Sequence, residues 1–390
     1  MKSLIDILNL SMDEIDELIR TAISISDNPA KYSDICRGKT LANLFFEPST
    51  RTRMSIESAM YSLGGNVINM NDQSTSSASK GESLSDTIRV VSSYVDILAI
   101  RHPSEGAGLL ASEFSSVPVI NAGDGGHCHP TQTLADLLTI YREKGSFDGL
   151  KIGFCGDLKY GRTVHSLIKA LLRYKDVKIY LISPEELALP SYLKDYMKEL
   201  GNSYIETISL EEAIPNLDVL YMTRIQKERF QNIKTYEKLK DVYILKKENL
   251  NLAKDNLSIM HPLPRVNEIS IEVDDDPRAC YFKQVLNGKY MRMALIIKLL
   301  SLYEKKDEPK NTCLKQETPL NQKNASSKET ASHSEIGSNK EIISNEKIDS
   351  DFKCKNPHCI TNHERGLKGV YKIKDEKKQC VYCEYEEDIS

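Results

Sequence analysis

LANLFFEPSTRTRMSIESAM, residues 41–60, is the stretch on which the fold turns. It opens on an apolar run, Leu41–Phe46, of the length and composition of a buried parallel strand. It leads into Ile56, Ala59, Met60 and Leu63, which recur at helical spacing. Between the two lie Glu47, Ser49, Thr50, Arg51, Thr52 and Arg53, a polar turn from strand to helix. Ser or Thr at such a turn is a good helix N-cap.

The same alternation repeats outward from this stretch. Val95–Ile100 and Val117–Ile120 are further strand candidates, and Leu134, Leu137, Leu138 and Tyr141 mark a helix. Strands alternating with helices imply an α/β layer with a parallel sheet. A second such pattern starts near Leu150, with strand candidates KIGFCGD (151–157), KIYLISP (178–184), DVLYMTR (218–224) and LSIMHPLP (257–264). The two patterns meet at Lys144–Gly149, and Gly288–Glu304 predicts a terminal helix. The expected fold class is α/β: two doubly wound parallel-sheet domains joined by helices, plus a small β-rich C-terminal domain stapled by a metal. The expected boundaries are 1–145, 146–287 with helix 288–304 packing back, a linker over 305–351, and a tail over 352–390.

Composition bounds the function. The chain has 390 residues and a net charge of −4, so no global basic field favours nucleic acid. Hydrophobic content of 40% and charged content of 28% suit a globular protein. The N-terminus carries Asp6, Asp13, Glu14 and Asp16 instead of an apolar secretion signal, and no apolar run approaches the ~18 residues of a membrane span. From Glu304 to Asp351 the chain has no aromatic residue and is rich in Ser, Asn, Lys and Glu, which predicts a disordered linker. Of nine cysteines, five are scattered. This distribution suits a reduced, cytoplasmic protein with one metal site better than a disulfide framework.

Anion chemistry is written locally. The Ser49–Arg53 turn offers free N–H groups, hydroxyls and guanidinium groups to one anion; the alternative is a capped helix with solvated arginines. Arg101-His102-Pro103 follows a buried strand, and His129-Pro130-Thr131-Gln132 sits at another strand-to-helix turn, where Pro130 suits the first helical position. Ligands of open α/β sheets bind at the carboxyl ends of strands, so three such turns in one domain point to one site. In the second pattern, Arg162 lies in GDLKYGRTVHS, Arg224, Gln226 and Arg229 in MTRIQKERF, and Leu263 and Pro264 in HPLPR. Arginine suits bidentate carboxylate recognition.

These motifs, in this order and spacing, resemble the transcarbamoylase family, and the second set resembles its aspartate-specific branch. Ornithine-specific relatives carry an SMG-type segment in place of Thr223–Gln226 and HCLP in place of HPLP. The resemblance covers about residues 1–304 and implies transfer of a carbamoyl group from carbamoyl phosphate to L-aspartate, an early step of pyrimidine biosynthesis. It implies that Arg51, Ser49 and Thr50 hold phosphate, that Thr52, Arg101 and His129 face the carbonyl oxygen, and that Gln132 holds the carbamoyl amine. Leu263 and Pro264 face the carbamoyl group and the amine of aspartate. Arg162, Arg224 and Gln226 take the aspartate carboxylates. Ser76 and Lys80 enter from a neighbouring subunit, which implies a homotrimer with shared sites. Glu47 is expected to pair with Arg162 and Arg229 when the domains close, so Glu47→Ala should weaken aspartate saturation more than carbamoyl phosphate saturation. Unchanged aspartate saturation in that variant would refute the closure role. No organic cofactor is expected.

Cys354-x4-Cys359 and, after 20 residues, Cys380-x2-Cys383 form a four-thiolate set suited to one structural zinc ion per chain. The tail resembles the zinc domain of the aspartate carbamoyltransferase regulatory chain, fused here without that chain's nucleotide-binding domain. The resemblance implies docking on catalytic chains. Rival readings are carbamoyl transfer to ornithine, a dinucleotide-dependent oxidoreductase built on Gly153-Phe154-Cys155-Gly156, and a zinc ribbon for nucleic acid. The glycine pattern lacks G-x-G-x-x-G, and acidic residues over Glu384–Asp388 disfavour nucleic acid. Cys128, beside His129, is either oxidation-sensitive or merely buried.

Overall fold

The computed structural model describes residues 2–70, 81–225, 233–306, 346–349, 353–374 and 377–388. The expected site residues Ser76, Lys80, Gln226 and Arg229, and most of the expected linker, lie outside these.

The first layer runs α1 (Met12–Asp27), β1 (Thr40–Phe45), α2 (Thr50–Ser62), β2 (Asn66–Met70), α3 (Leu84–Ser92), β3 (Ile97–His102), α4 (Ala107–Phe114), β4 (Val119–Asp124) and α5 (Pro130–Lys144). Its sheet has the order β2-β1-β3-β4, all parallel. β1, β3 and β4 are buried almost throughout, as their apolar runs require. The second layer runs β5 (Lys151–Cys155), α6 (Arg162–Leu171), β6 (Lys178–Ile182), α7 (Ser191–Glu199), β7 (Tyr204–Thr207), α8 (Leu210–Ala213), β8 (Val219–Met222), α9 (Ile233–Leu239) and β9 (Ser258–Met260). Its sheet is also parallel, in the order β7-β6-β5-β8-β9. The strand order reverses between β1 and β3 in the first sheet and between β5 and β8 in the second. Crevices open at such reversals, at the carboxyl ends of the strands.

α10 (Tyr281–Lys306) packs back on α1, α2 and α5 and welds the layers into one core. It is longer than the expected helix because it begins well before Gly288. A Cβ at Gly288 would stand 2.5 Å from Arg292 Nη1 and 3.3 Å from Ala135, so this glycine serves a close crossing of α10 on α5.

The tail is an antiparallel sheet of β10 (Glu346–Asp349), β11 (Gly369–Lys374), β12 (Lys377–Cys380) and β13 (Glu386–Asp388). This corrects the expected boundary: Glu346–Asp349 was read as polar linker but pairs with Gly369–Lys372. Backbone pairing, not burial of an apolar run, recruits these four residues.

The tail docks on the first layer of its own chain. Glu105 N–H donates to the His358 carbonyl, and Ile360 N–H donates to the Glu105 carbonyl, both at 2.8 Å. The Glu364 carboxylate accepts from Leu84 N at 3.0 Å and Ser85 N at 2.9 Å, so a tail residue takes the first two N–H groups of α3 while Ser83 caps the third at Asp86. Ile360 and Tyr382 share an apolar cluster with Leu84, Ile88 and Leu110. Tyr382 rests on Gly106 (φ 87°), where a Cβ would meet the Tyr382 Cβ at 2.6 Å.

Candidate active site and metal site

The two crevices face one another across a single cavity of about 490 Å³. Three helices, α2, α5 and α6, begin at its wall, at Thr50, Pro130 and Arg162, and none is capped by the side chain before it. Ser49 occupies the N-cap position of α2, yet its hydroxyl does not bond the helix backbone. The positive ends of three helix dipoles therefore act on the cavity.

The structure brings Glu47, Ser49, Thr50, Arg51, Thr52, Arg101, His129, Gln132, Arg162, Arg224, Leu263 and Pro264 to this one cavity. β1 and β3 are in register at Phe45 and Arg101, which sets Glu47 beside the Arg101 guanidinium. Arg101 Nη2 donates to Glu47 Oε1 at 3.1 Å. Here Glu47 pairs with Arg101, while Arg162 donates to the Gly125 carbonyl; the expected pairing of Glu47 with Arg162 and Arg229 belongs to the closed state. The adjacent strands β1 and β3 bring Glu47 and Arg101 together, whereas Arg162 opens α6 in the second layer.

Positive charge dominates. Burial, then the neighbouring Arg224 and Arg101, lower the proton affinity of Arg51. Only an anion offsets such crowding. Burial, then Arg162, Arg101 and Arg292, hold His129 well below the usual histidine range. Its imidazole is thus neutral at pH 7, and it can donate one hydrogen bond without carrying charge.

Two further residues support the cavity with little signal in the sequence, Arg292 and Asp136. Arg292 from α10 lines the cavity and donates to Ser55 Oγ at 3.3 Å and Thr131 Oγ1 at 3.4 Å. Asp136, one helical turn after Gln132, accepts from Gln132 Nε2 at 2.7 Å, Gln284 Nε2 at 2.6 Å and the Tyr221 hydroxyl at 2.9 Å. With its amide nitrogen so engaged, Gln132, which lines the cavity, offers a ligand its carbonyl oxygen. Only the i, i+4 spacing could have flagged Asp136; Tyr221 and Gln284 are distant in sequence. Burial pushes the Asp136 carboxyl up to about 7, although all three donors favour its charged form. As pH falls through 7 the carboxyl is protonated, its bonds to Gln132, Gln284 and Tyr221 lose their charge assistance, and Gln132 is held less firmly. The KM for the expected carbamoyl phosphate should then rise at low pH, and Asp136→Asn, which keeps only a neutral Oδ1 acceptor for Gln132 and turns an amide toward the Tyr221 hydroxyl, should raise it about fivefold at every pH. Saturation curves at pH 6 and 8 check this; an Asp136→Asn KM equal to wild type refutes it.

Leu263, in the HPLP segment, adopts φ 52°, a strained conformation for a side-chain-bearing residue, and precedes a cis Pro264. His261 holds it there: Nδ1 accepts from Leu263 N at 2.8 Å while Nε2 donates to Glu268 at 2.7 Å. Cys128 is buried, and burial and Asp124 push its thiol well above the usual range. It is a packing residue without thiolate reactivity.

In the tail, Cys354, Cys359, Cys380 and Cys383 are buried with all four sulfurs within 4.8 Å of one another. Cys354 and Cys383 sulfurs are 3.5 Å apart, and Cys359 and Cys380 sulfurs 3.7 Å. Tetrahedral thiolates around a zinc-sized ion stand about 3.8 Å apart, so the set fits such a metal.

Comparison with known proteins decides the family. Residues 2–142 match the model of the aspartate/ornithine carbamoyltransferase carbamoyl-P binding domain, and residues 148–299 match the Asp/Orn binding domain. The chain belongs to the aspartate/ornithine carbamoyltransferase family. Residues 346–389 match the metal binding domain of the aspartate carbamoyltransferase regulatory chain. The aspartate carbamoyltransferase catalytic subunit of Clostridium novyi is 58% identical over 301 residues, 77% of this chain and 98% of the relative. That of Lachnoclostridium phytofermentans is 57% identical over 303 residues, 77% of this chain and 99% of the relative. Among solved structures, the catalytic subunit of M. jannaschii aspartate transcarbamoylase is 50% identical with a TM-score of 0.74, covering 79% of this chain and 100% of that one. The Trypanosoma cruzi aspartate transcarbamoylase in complex with carbamoyl phosphate and aspartate is 39% identical with a TM-score of 0.72, covering 76% and 96%. This family member is a transferase with an added metal-binding tail. Among its described residues no helix is long and apolar enough to cross a membrane.

Proposed function

We propose that the chain joins carbamoyl phosphate and L-aspartate in this cavity, giving N-carbamoyl-L-aspartate and phosphate. One observation carries the reading: the Ser49–Thr52 turn from one sheet and Arg162 and Arg224 from the other line a single cavity of about 490 Å³. A phosphate fits the first wall and a dicarboxylate the second.

The amine of aspartate attacks the carbamoyl carbon, and negative charge develops on the carbonyl oxygen. In this reading Thr52, Arg101 and neutral His129 donate to that oxygen. One such donor contributes about 3 kcal/mol. Arg51, Ser49, Thr50 and the α2 N-terminus hold the departing phosphate, which accepts the amine proton. Gln132 accepts from the carbamoyl amine. The Leu263 backbone and Pro264 face the carbamoyl group and the attacking nitrogen. Holding both reactants in one pose can remove about 7–11 kcal/mol from the barrier.

The reading extends to a homotrimer in which a neighbour supplies Ser76 and Lys80, to Gln226 as a carboxylate contact, and to Arg229 as a closure partner of Glu47. It extends also to a structural zinc ion on the four thiolates, to a cytoplasmic location and to an early place in pyrimidine synthesis. The four-thiolate spacing and the regulatory-chain match support zinc; a closed set of four ligands leaves it no catalytic position.

Calorimetric titration with N-(phosphonacetyl)-L-aspartate, the compound bound in a Trypanosoma cruzi relative, tests the site. Binding at one site per chain, abolished in Arg224→Ala, is expected. Equal binding by wild type and Arg224→Ala would refute the assignment of the second wall.

A further inference from the structure

The tail reaches both catalytic layers at one carboxylate. Glu384 Oε2 lies 2.9 Å from Lys169 Nζ on α6, in the second layer, and 3.7 Å from His127 Nε2, in the first. His127 Nδ1 is in turn 3.2 Å from Asp124 Oδ2 at the end of β4. The Lys169 and His127 side chains are 16% and 13% exposed and that of Glu384 38%, so the two cations are shielded while the carboxylate reaches solvent on one side. Glu384 also carries a positive φ of 58°, which glycine would adopt without cost.

Both contacted groups are one step from the cavity. His127 stands two residues before His129. Lys169 stands seven residues after Arg162 on one rigid helix, a rise of about 10 Å. The far end of the same helix is tied to the same loop, because Arg162 donates to the Gly125 carbonyl. The 124–129 loop and α6 are thus clamped twice, once beside the cavity by Arg162 and once behind it by the tail.

We propose that Glu384 is a positioning residue for the transfer reaction, setting α6 against the 124–129 loop and thereby the distance between Arg162 and His129. This rests on the proposed roles of those two residues. Loosening the tie moves the aspartate wall relative to the carbamoyl phosphate wall, so it acts on aspartate saturation and leaves the phosphate cradle on α2 untouched.

The test compares Glu384→Gln, Lys169→Gln and the double variant in the full-length, metal-loaded chain. Metal content, KM for each substrate, and hydrogen–deuterium exchange of residues 124–129 and 162–171 are measured. Each single variant should keep its metal, raise the aspartate KM about fivefold with the carbamoyl phosphate KM within twofold, and speed exchange in both segments. The double variant should be no worse than Glu384→Gln alone, since that change already removes the ion pair with Lys169. An unchanged aspartate KM in Lys169→Gln, or multiplying effects in the double variant, overturns the proposal. Should Glu384→Gln shed its metal, Lys169→Gln, which leaves the tail intact, decides alone. If the wild type yields no carbamoyl-aspartate, the proposed reaction fails, and exchange alone then judges the clamp: faster in both segments sustains it, unchanged overturns it.

Discussion

Arg51→Ala lowers turnover by about 10²–10³-fold while the protein keeps its fold. Arg51 is exposed in the first turn of α2 and belongs to no core cluster, so its removal leaves no void. What it loses is chemical. Phosphate leaves with growing charge, and the guanidinium is the group best placed beside the α2 N-terminus to meet it. Arg224 and Arg101 already crowd Arg51, so the free enzyme without it is relieved of repulsion. The variant should therefore be as heat-stable as wild type or slightly more so. Turnover within a factor of ten of wild type, measured at saturating substrates, would remove Arg51 from the phosphate cradle.

Cys359→Ser has the second large effect, and it falls on the tail. Cys359 is fully buried, and its backbone joins a short bridge to Glu105 on the first layer. Losing one of four thiolates forfeits much of a binding free energy that is about 10–16 kcal/mol for structural zinc. A tail of this size has too little core to stay folded without it. The large cores formed around α10 and the second sheet contain no tail residue and should persist. The cluster of Leu84, Ile88 and Leu110 would lose its cover and promote aggregation. Expected are loss of bound metal, rapid proteolysis at the tail and an otherwise protected catalytic part. A metal-loaded, protease-resistant variant would contradict this account.

The fold was legible where burial was two-sided. β1, β3, β4, β5 and β8 read as apolar runs because both faces of the sheets are covered. β2 and β7 escaped notice because they are edge strands, half in water, whose residues alternate without an apolar run. α10 was read short because Gly288 resembles a helix boundary, whereas it serves a close helix crossing. Glu346–Asp349 escaped because polar residues paired through their backbone leave no apolar signature.

The site was legible as far as it is built from contiguous turns. Ser49–Arg53, Arg101 and His129–Gln132 each carry their chemistry in one short segment. Asp136, Arg292 and Glu384 do not. Asp136 acquires its role from Tyr221 and Gln284, and Glu384 from Lys169 and His127, partners that only the folded chain brings together. The pairing of Glu47 with Arg101 depends on strand register, which no local pattern encodes.

The most direct measurement incubates the purified, metal-loaded chain with carbamoyl phosphate and either L-aspartate or L-ornithine, and quantifies the carbamoylated product. Carbamoyl-aspartate with no carbamoyl-ornithine, formed about 10²–10³-fold more slowly by Arg51→Ala, is the predicted result. Carbamoyl-ornithine as the main product would contradict the roles given to Arg162 and Arg224.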